Sequence, residues 1–217
     1  MTLFRRFGQP WSERSPYVVN HAHISVVTPP AVEPINIVDV RKFIRVNFTT
    51  DDQIIETLMK SARDWMERYL RRALITQTIR LDLDWGPAWV ELPRPPLQSV
   101  VSVECVGLNG AIFTADPASY YVIPEARLIG LQPSSVWPVH ITPAGWRCTF
   151  IAGYGDTPDT IPSQIISSMW NIVAAMYDNR GDLSSAIDMT REVLRPYRIE
   201  GQPFRFAKGV EPPELLA

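Results

Sequence analysis

Two carboxylates, Asp82 and Asp84, stand two residues apart in the run Ile79-Arg80-Leu81-Asp82-Leu83-Asp84. A carboxylate pair is what acid–base and glycosidic chemistry needs. A spacing of two inside an apolar–polar alternation, however, puts both on the polar face of a strand, where carboxylates are ordinarily solvated. A solvated strand face is therefore the expectation. His21 and His23 sit on one side of an extended segment, and the third histidine, His140, is remote in sequence. The pair lacks a third ligand nearby, so it reads as a solvated or interface pair rather than a metal site. Cys105 and Cys148 lie in strand-like apolar runs and are expected as buried free thiols. Whether they join is a question of Cβ geometry that sequence leaves open. There is no Cys-x-x-Cys, no Gly-x-Ser-x-Gly elbow and no phosphate loop, since Gly153-Tyr154-Gly155 runs into Asp156 without the lysine or third glycine such a loop uses. The metal, catalytic and cofactor expectations are accordingly none.

Seven tryptophans could build a sugar-binding face. Trp65, Trp85, Trp146 and Trp170 each fit an apolar face and are expected in the core, while Trp11, Trp89 and Trp137 stay open. A carbohydrate-binding or glycan-acting module is thus the competing reading. Its mark would be a coplanar, exposed row of Trp89, Trp137 or Trp146 beside a carboxylate.

The elements that must position these groups are legible from periodicity. Thr50-Asp51-Asp52-Gln53 has the form of a capping box. Behind it Ile54, Leu58, Ala62, Trp65 and Tyr69 make one helical stripe, with Ile55, Met59, Met66 and Leu70 beside it. A shorter helix carrying Val38, Phe43 and Val46 precedes it, with Asn36 as cap. Period two then takes over from Ile75 to Trp85, and further strands follow at Trp89–Leu92, Val100–Val106, Tyr120–Ile123 and Trp146–Ala152, with a hairpin signal at Asn109-Gly110. A second long helix, capped by Thr160 with Pro162 in its first turn, carries Ile165, Ile166, Met169, Trp170, Val173, Ala174 and Tyr177. A short one covers Ala186–Leu194 and stops before Pro196. Helices cluster with helices and strands with strands. The fold class is α+β: a helical body of two N-terminal and two C-terminal helices, a central antiparallel β-meander insertion, and extended terminal arms. The boundaries read as an arm over 1–34, a body over 35–197 and an arm over 198–217.

The chain has 217 residues and 46% hydrophobic content, enough for one core plus arms. Its formal net charge of -2 argues against a domain built to grip nucleic acid. The 20 prolines fall largely outside the expected helices and stiffen the arms. No apolar run reaches membrane-spanning length and no leader is visible, so the expectation is a soluble protein with no membrane partner. The N-terminal arm carries Phe4, Phe7, Trp11 and Tyr17 without a core of its own, and the C-terminal arm carries Phe204, Arg205, Phe206, Leu215 and Leu216. Aromatic and Arg side chains in extended segments are expected to dock on partners.

The run from Thr50 to Leu70, continued by Arg72-Ala73-Leu74-Ile75-Thr76-Gln77-Thr78, resembles the head–tail connector (adaptor) family of long-tailed phages and phage-derived gene transfer agents. Leu92-Pro93-Arg94-Pro95-Pro96-Leu97-Gln98-Ser99-Val100, Phe150-Ile151-Ala152-Gly153-Tyr154-Gly155, Ile161-Pro162 with a helix ending at Tyr177-Asp178-Asn179-Arg180, and Leu194-Arg195-Pro196-Tyr197-Arg198 follow in the family's order. The resemblance covers about residues 36–198. It implies a non-enzymatic subunit of a homo-oligomeric, dodecameric ring beneath the portal protein. Such a ring extends the DNA channel, with transient DNA passage, and meets a downstream neck or tail-completion protein. It sits in the neck of a virion or phage-like particle assembled in host cytoplasm. The resemblance also implies that Arg195, Tyr197 and Arg198 launch the C-terminal segment toward the portal. A different neck part, such as a tail-completion protein, is a further reading.

Overall fold

The computed structural model describes residues 21–200, apart from 108, 139, 141–143 and 179–182, together with the backbone of 206–207. Phe4, Phe7, Trp11, Tyr17, Phe204, Arg205, Leu215 and Leu216 therefore lie outside the described residues.

Two cores organise the chain. The first belongs to the helices. α1 (Ile37–Phe43) starts at Asn36, whose Oδ1 accepts from the Asp39 N–H at 2.8 Å, as the cap reading requires. α2 (Asp52–Leu70) buries Ile55, Met59, Ala62, Met66 and Leu70. This is the second of the two stripes read from sequence, joined by Ala62, while Ile54 faces solvent. α3 (Ser163–Asp178) lays Ile165, Met169, Ile172 and Val173 against that face, and α4 (Ser184–Leu194) closes it with Leu194. The capping box does not form: Asp51 occupies the cap position without a side-chain cap bond. Its carboxylate instead accepts the Tyr177 hydroxyl at 2.6 Å and ties α3 to the start of α2. Thr160 likewise does not cap α3. It ends a 3-10 turn over Pro158–Thr160, and its hydroxyl donates to the Thr157 carbonyl.

The second core lies between two antiparallel sheets. The larger contains β1 (Ala22–Thr28), β2 (Gln77–Leu83), β4 (Leu97–Val106), β5 (Ile112–Thr114) and β8 (Trp146–Ala152), in the order β1-β2-β8-β4-β5. The smaller contains β3 (Trp89–Glu91), β6 (Tyr120–Ile123), β7 (Leu128–Leu131) and β9 (Phe206–Ala207), in the order β6-β7-β3-β9. Ile79, Leu81, Leu83, Val103, Cys105, Trp146, Cys148 and Phe150 of the first meet Val90 and Ile129 of the second, all buried.

The class is α+β with antiparallel sheets, as the patterning implies. The strand order is richer than a simple meander. β8 inserts between β2 and β4, pairing Leu81 with Cys148 on one side and Val103 with Cys148 on the other. β8 ends where Gly153 adopts a φ of +136°, and a Cβ there would sit 2.5 Å from the Ile75 backbone. Only glycine fits that crossing. Within the segment read as an N-terminal arm, residues 22–28 are β1, the edge strand of the larger sheet, paired from Ala22–Leu83 to Thr28–Thr78. In the C-terminal segment, β9 pairs Phe206 with Val90 and Ala207 with Trp89.

Candidate assembly surfaces

The groups with chemical potential are spent on structure. Cys105 and Cys148 are buried and unpaired. Burial pushes the Cys105 thiol up to about 12 and that of Cys148 higher still. Neither presents a thiolate near neutral pH.

Asp82 and Asp84 separate. Asp82 is only 6% exposed, which corrects the expectation of a solvated strand face. Arg80 Nε lies 3.2 Å from it, Arg147 Nε 3.5 Å and His23 Nδ1 3.6 Å. The reason is the sheet order: with β1 on one side and β8 on the other, β2 is an inner strand, and long side chains from both neighbours close over the carboxylate. His23, Asp82, Arg147 and Glu104 are successive cross-strand partners, so Asp82, Arg147 and Glu104 alternate in charge from strand to strand across the sheet. Asp84, at the end of β2, accepts from the His21 backbone N–H at 3.0 Å, lies 2.8 Å from His21 Nδ1, and accepts from the Ala144 N–H at 3.1 Å. Burial alone would raise its carboxyl. The hydrogen bonds from His21 and Ala144 outweigh that and hold it below the usual carboxylate range. The two histidines thus pin the start of β1 against β2.

Among the described residues the tryptophans do not form a sugar platform. Trp146 is fully buried and meets Trp137 edge-on, with an interplanar angle of 69°. Trp137 donates its indole N–H to the Pro87 carbonyl at 2.7 Å. Trp65 stacks on Tyr69, and Trp170 packs against Phe43. The coplanar row that the glycan reading needs is not there among the described residues.

At the C-terminal side, α4 runs into a 3-10 turn over Arg195–Tyr197. Arg72 Nε donates to the Tyr197 carbonyl at 2.6 Å, and the Ile199 N–H donates to the Leu70 carbonyl at 3.1 Å. Arg198 lies over the Tyr69 ring at 5.2 Å. Tyr69 in turn donates its hydroxyl to the Arg191 carbonyl. Tyr197 and Arg198 are therefore clamped on the end of α2 and set the direction in which the tail departs, while Arg195 is exposed.

Sequence reasoning missed Glu67. It is buried, and its Oε1 accepts from the Leu74 N–H and from Gln77 Nε2, both at 2.9 Å. Its other side faces Arg94 at 3.9 Å. Burial raises its carboxyl, with the Leu74 N–H, Arg94, Arg63 and Gln77 opposing. It lines a cavity of about 290 Å³ beneath Val26, Pro29 and Pro30. The signal available in sequence was a lone Glu one position off the apolar stripe. That is also where a solvated residue would sit.

Residues 34–103 match the sequence model of the phage gp6-like head-tail connector proteins. No curated protein sequence matches the chain. Among solved structures, the fold is similar to a chain in the neck of an empty gene transfer agent particle computed with C6 symmetry. The TM-score is 0.70 at 19% identity, covering 83% of this chain and 97% of that one. A chain in the neck of the native particle computed with C12 symmetry gives 0.69 at 19% identity, with the same coverage of both chains. A chain in the virion of the native particle gives 0.67 at 19% identity, covering 83% and 98%. The family model thus matches residues 34–103, and the fold is similar to that of the neck chains over 83% of this chain.

Proposed function

We propose that the chain is a non-enzymatic subunit of the neck of a tailed-phage or gene-transfer-agent particle. Copies of it form a ring below the portal protein, continue the DNA channel and join capsid to tail. The observation that carries this reading is the fold likeness over 97% of a neck chain, together with the connector-family match over residues 34–103. The symmetries of the similar particles, C12 and C6, favour a dodecameric ring. The compact body supplies the ring. The terminal segments, with Phe4, Phe7, Trp11 and Tyr17 at one end and Phe204, Arg205, Phe206, Leu215 and Leu216 at the other, supply contacts to neighbours, the portal and the downstream neck protein. The net charge of -2 suits a lumen that lets DNA pass without holding it.

Native mass measurement and electron microscopy of the purified protein, alone and with portal, test the reading. Closed rings that cap the portal are expected. A chain that stays monomeric with portal present and binds no portal would overturn it.

A further inference from the structure

α3 is held between α1 and α4. Its Trp170 meets Phe43 of α1, with ring centroids 5.7 Å apart. Ser168, two residues earlier and so about 200° round the helix, is buried. α2 covers the face between them, at Met169, and α4 is the remaining helix packed on α3. α1 and α4 therefore lie on opposite flanks of the helical body, and each turns a face outward. On α1, Val40 is buried, and Val38, about 200° away, is exposed. Lys42 lies on the same side one turn on, and Arg45 and Phe48 follow, both exposed, Phe48 to 52%. Asp52 and Asp39 take Arg41 and Lys42 at 3.5 and 3.4 Å, which leaves Arg45 without an ion pair among the described residues. On α4, Thr190 and Leu194 are buried, and Glu192 lies about 200° from both. Met189, 67% exposed, and Val193 flank it. Asp188 and Arg191 pair with each other at 3.3 Å, which leaves Glu192 without an ion pair among the described residues.

We infer that these two faces meet between adjacent copies in the ring: α4 of one subunit, with Met189, Glu192 and Val193, docks on the α1 flank of the next, with Val38, Arg45 and Phe48. Each face joins exposed apolar side chains to one unanswered charge, and the two charges are opposite. Methionine and phenylalanine are among the side chains that interface cores favour. A twofold contact would set Arg45 against Arg45, or Glu192 against Glu192, and like charges brought together oppose association. A contact between two different patches is head-to-tail, and such contacts build rings when the rotation closes. The opposite flanks of the body supply the two patches that a ring subunit needs, one for each neighbour.

This inference rests on the ring reading, and its test separates the two. Arg45→Glu and Glu192→Arg chains are prepared separately. Both residues are exposed, so each chain should unfold at the denaturant midpoint of the natural one. Native mass with portal present then gives the ring fraction. Either variant alone sets like charges together at every contact and is expected to lose its rings. Mixed in equal amounts, the two restore opposite charges at every contact of an alternating ring, and rings holding both chains in equal number are expected. Rings kept by a variant alone, or a mixture that restores none, overturn the contact. A second arm needs no charge change: chains carrying both Val38→Cys and Met189→Cys are oxidised under assembly conditions. The native Cys105 and Cys148 are both buried, and the two new thiols lie on opposite flanks, so a ladder of covalent oligomers is expected. Monomers alone overturn the contact. Where the natural chain forms rings but these results fail, the two faces serve the portal or the downstream neck protein and the neck reading stands. Absence of rings from the natural chain with portal present sinks the neck reading itself.

Discussion

Arg72 Nε donates to the Tyr197 carbonyl at 2.6 Å, across 125 residues of sequence. The bond joins the residue just past α2 to the turn that ends α4, and so fixes the point from which the C-terminal segment leaves. A charged donor on a half-buried carbonyl contributes about 1.5–3 kcal/mol. Arg72→Met should lower the free energy of unfolding by that amount, read from the shift of the urea midpoint. It should also open the chain between Arg198 and Pro203 to limited proteolysis, because the exit loses its clamp. Unchanged cleavage in a destabilised variant would mean that the Ile199–Leu70 backbone bond alone directs the tail.

Glu67 makes a pH prediction. Burial raises its folded-state carboxyl above the ordinary 4.5. The native chain therefore holds this proton to higher pH than the unfolded chain. The associated stability is fully present below the unfolded value and is lost as pH rises through the folded one. Glu67→Gln removes the titration while its side-chain oxygen can still accept the Leu74 N–H. The stability of the variant relative to the natural chain should increase between about pH 4 and about pH 7, whatever the offset at either end. Denaturation curves across that range give the slope, and a decrease would reverse the assignment.

The N-terminal segment divides at His21. β1 pairs along its length with β2, and Glu33 binds Arg63 at 2.7 Å, so residues from 22 onward belong to the body's structure. A chain lacking residues 1–20 should unfold at the denaturant midpoint of the full protein but assemble less well. A chain lacking 1–30 should lose stability outright, because β2 would become the open edge. Paired denaturation and native mass measurements on the two truncations check this. An unstable first truncation would place Phe4, Phe7, Trp11 and Tyr17 in the fold rather than at a partner.

The thiols offer a direct probe of the rigidity of the core between the sheets. Cys105 and Cys148 are buried and their ionisation is suppressed, so an aromatic disulfide reagent at mild alkaline pH should react only as fast as the chain opens. Both thiols should react together. Prompt reaction of one would show that its strand is exposed in solution.

How much was legible from sequence depended on how local the cause was. Period two over Ile75–Trp85 and the i, i+3, i+4 spacing behind Asp51 are local facts, and they gave β2 and α2. Non-local facts were hidden. The segment around Ile24 has no helical period and falls within the expected N-terminal arm, because only β2's open edge makes it a strand. The capping box does not form because α2 is capped one residue later, at Asp51 rather than Thr50, and the Asp51 carboxylate is taken by Tyr177 from another helix. Ile54 lies in the apolar spacing but faces solvent, since its neighbour Ile55 takes the core position in the first turn of α2. β8's place between β2 and β4 cannot be read from any window of sequence.

The same non-local order decides Asp82. By spacing alone it matches Asp84, yet β8 sets Arg147 beside it and β1 sets His23 on the other flank, with Arg80 alongside. Removing a carboxylate that answers two guanidinium groups in a nearly closed site costs about 3–5 kcal/mol, mainly because the cations are left without a partner. Asp84 lies at the strand's end and serves the arm, so its loss should cost about 1–2 kcal/mol, the worth of its hydrogen bonds. Asp82→Ala should therefore lower the thermal midpoint several times more than Asp84→Ala. Arg147→Ala combined with Asp82→Ala should recover part of the deficit, since it removes the stranded charge along with its partner. If the carboxylates were instead an acid–base pair, both single variants would abolish a turnover while leaving stability nearly equal. Calorimetry on the four chains distinguishes the outcomes, and equal small losses for Asp82→Ala and Asp84→Ala would remove the charged row from the account of what holds the larger sheet.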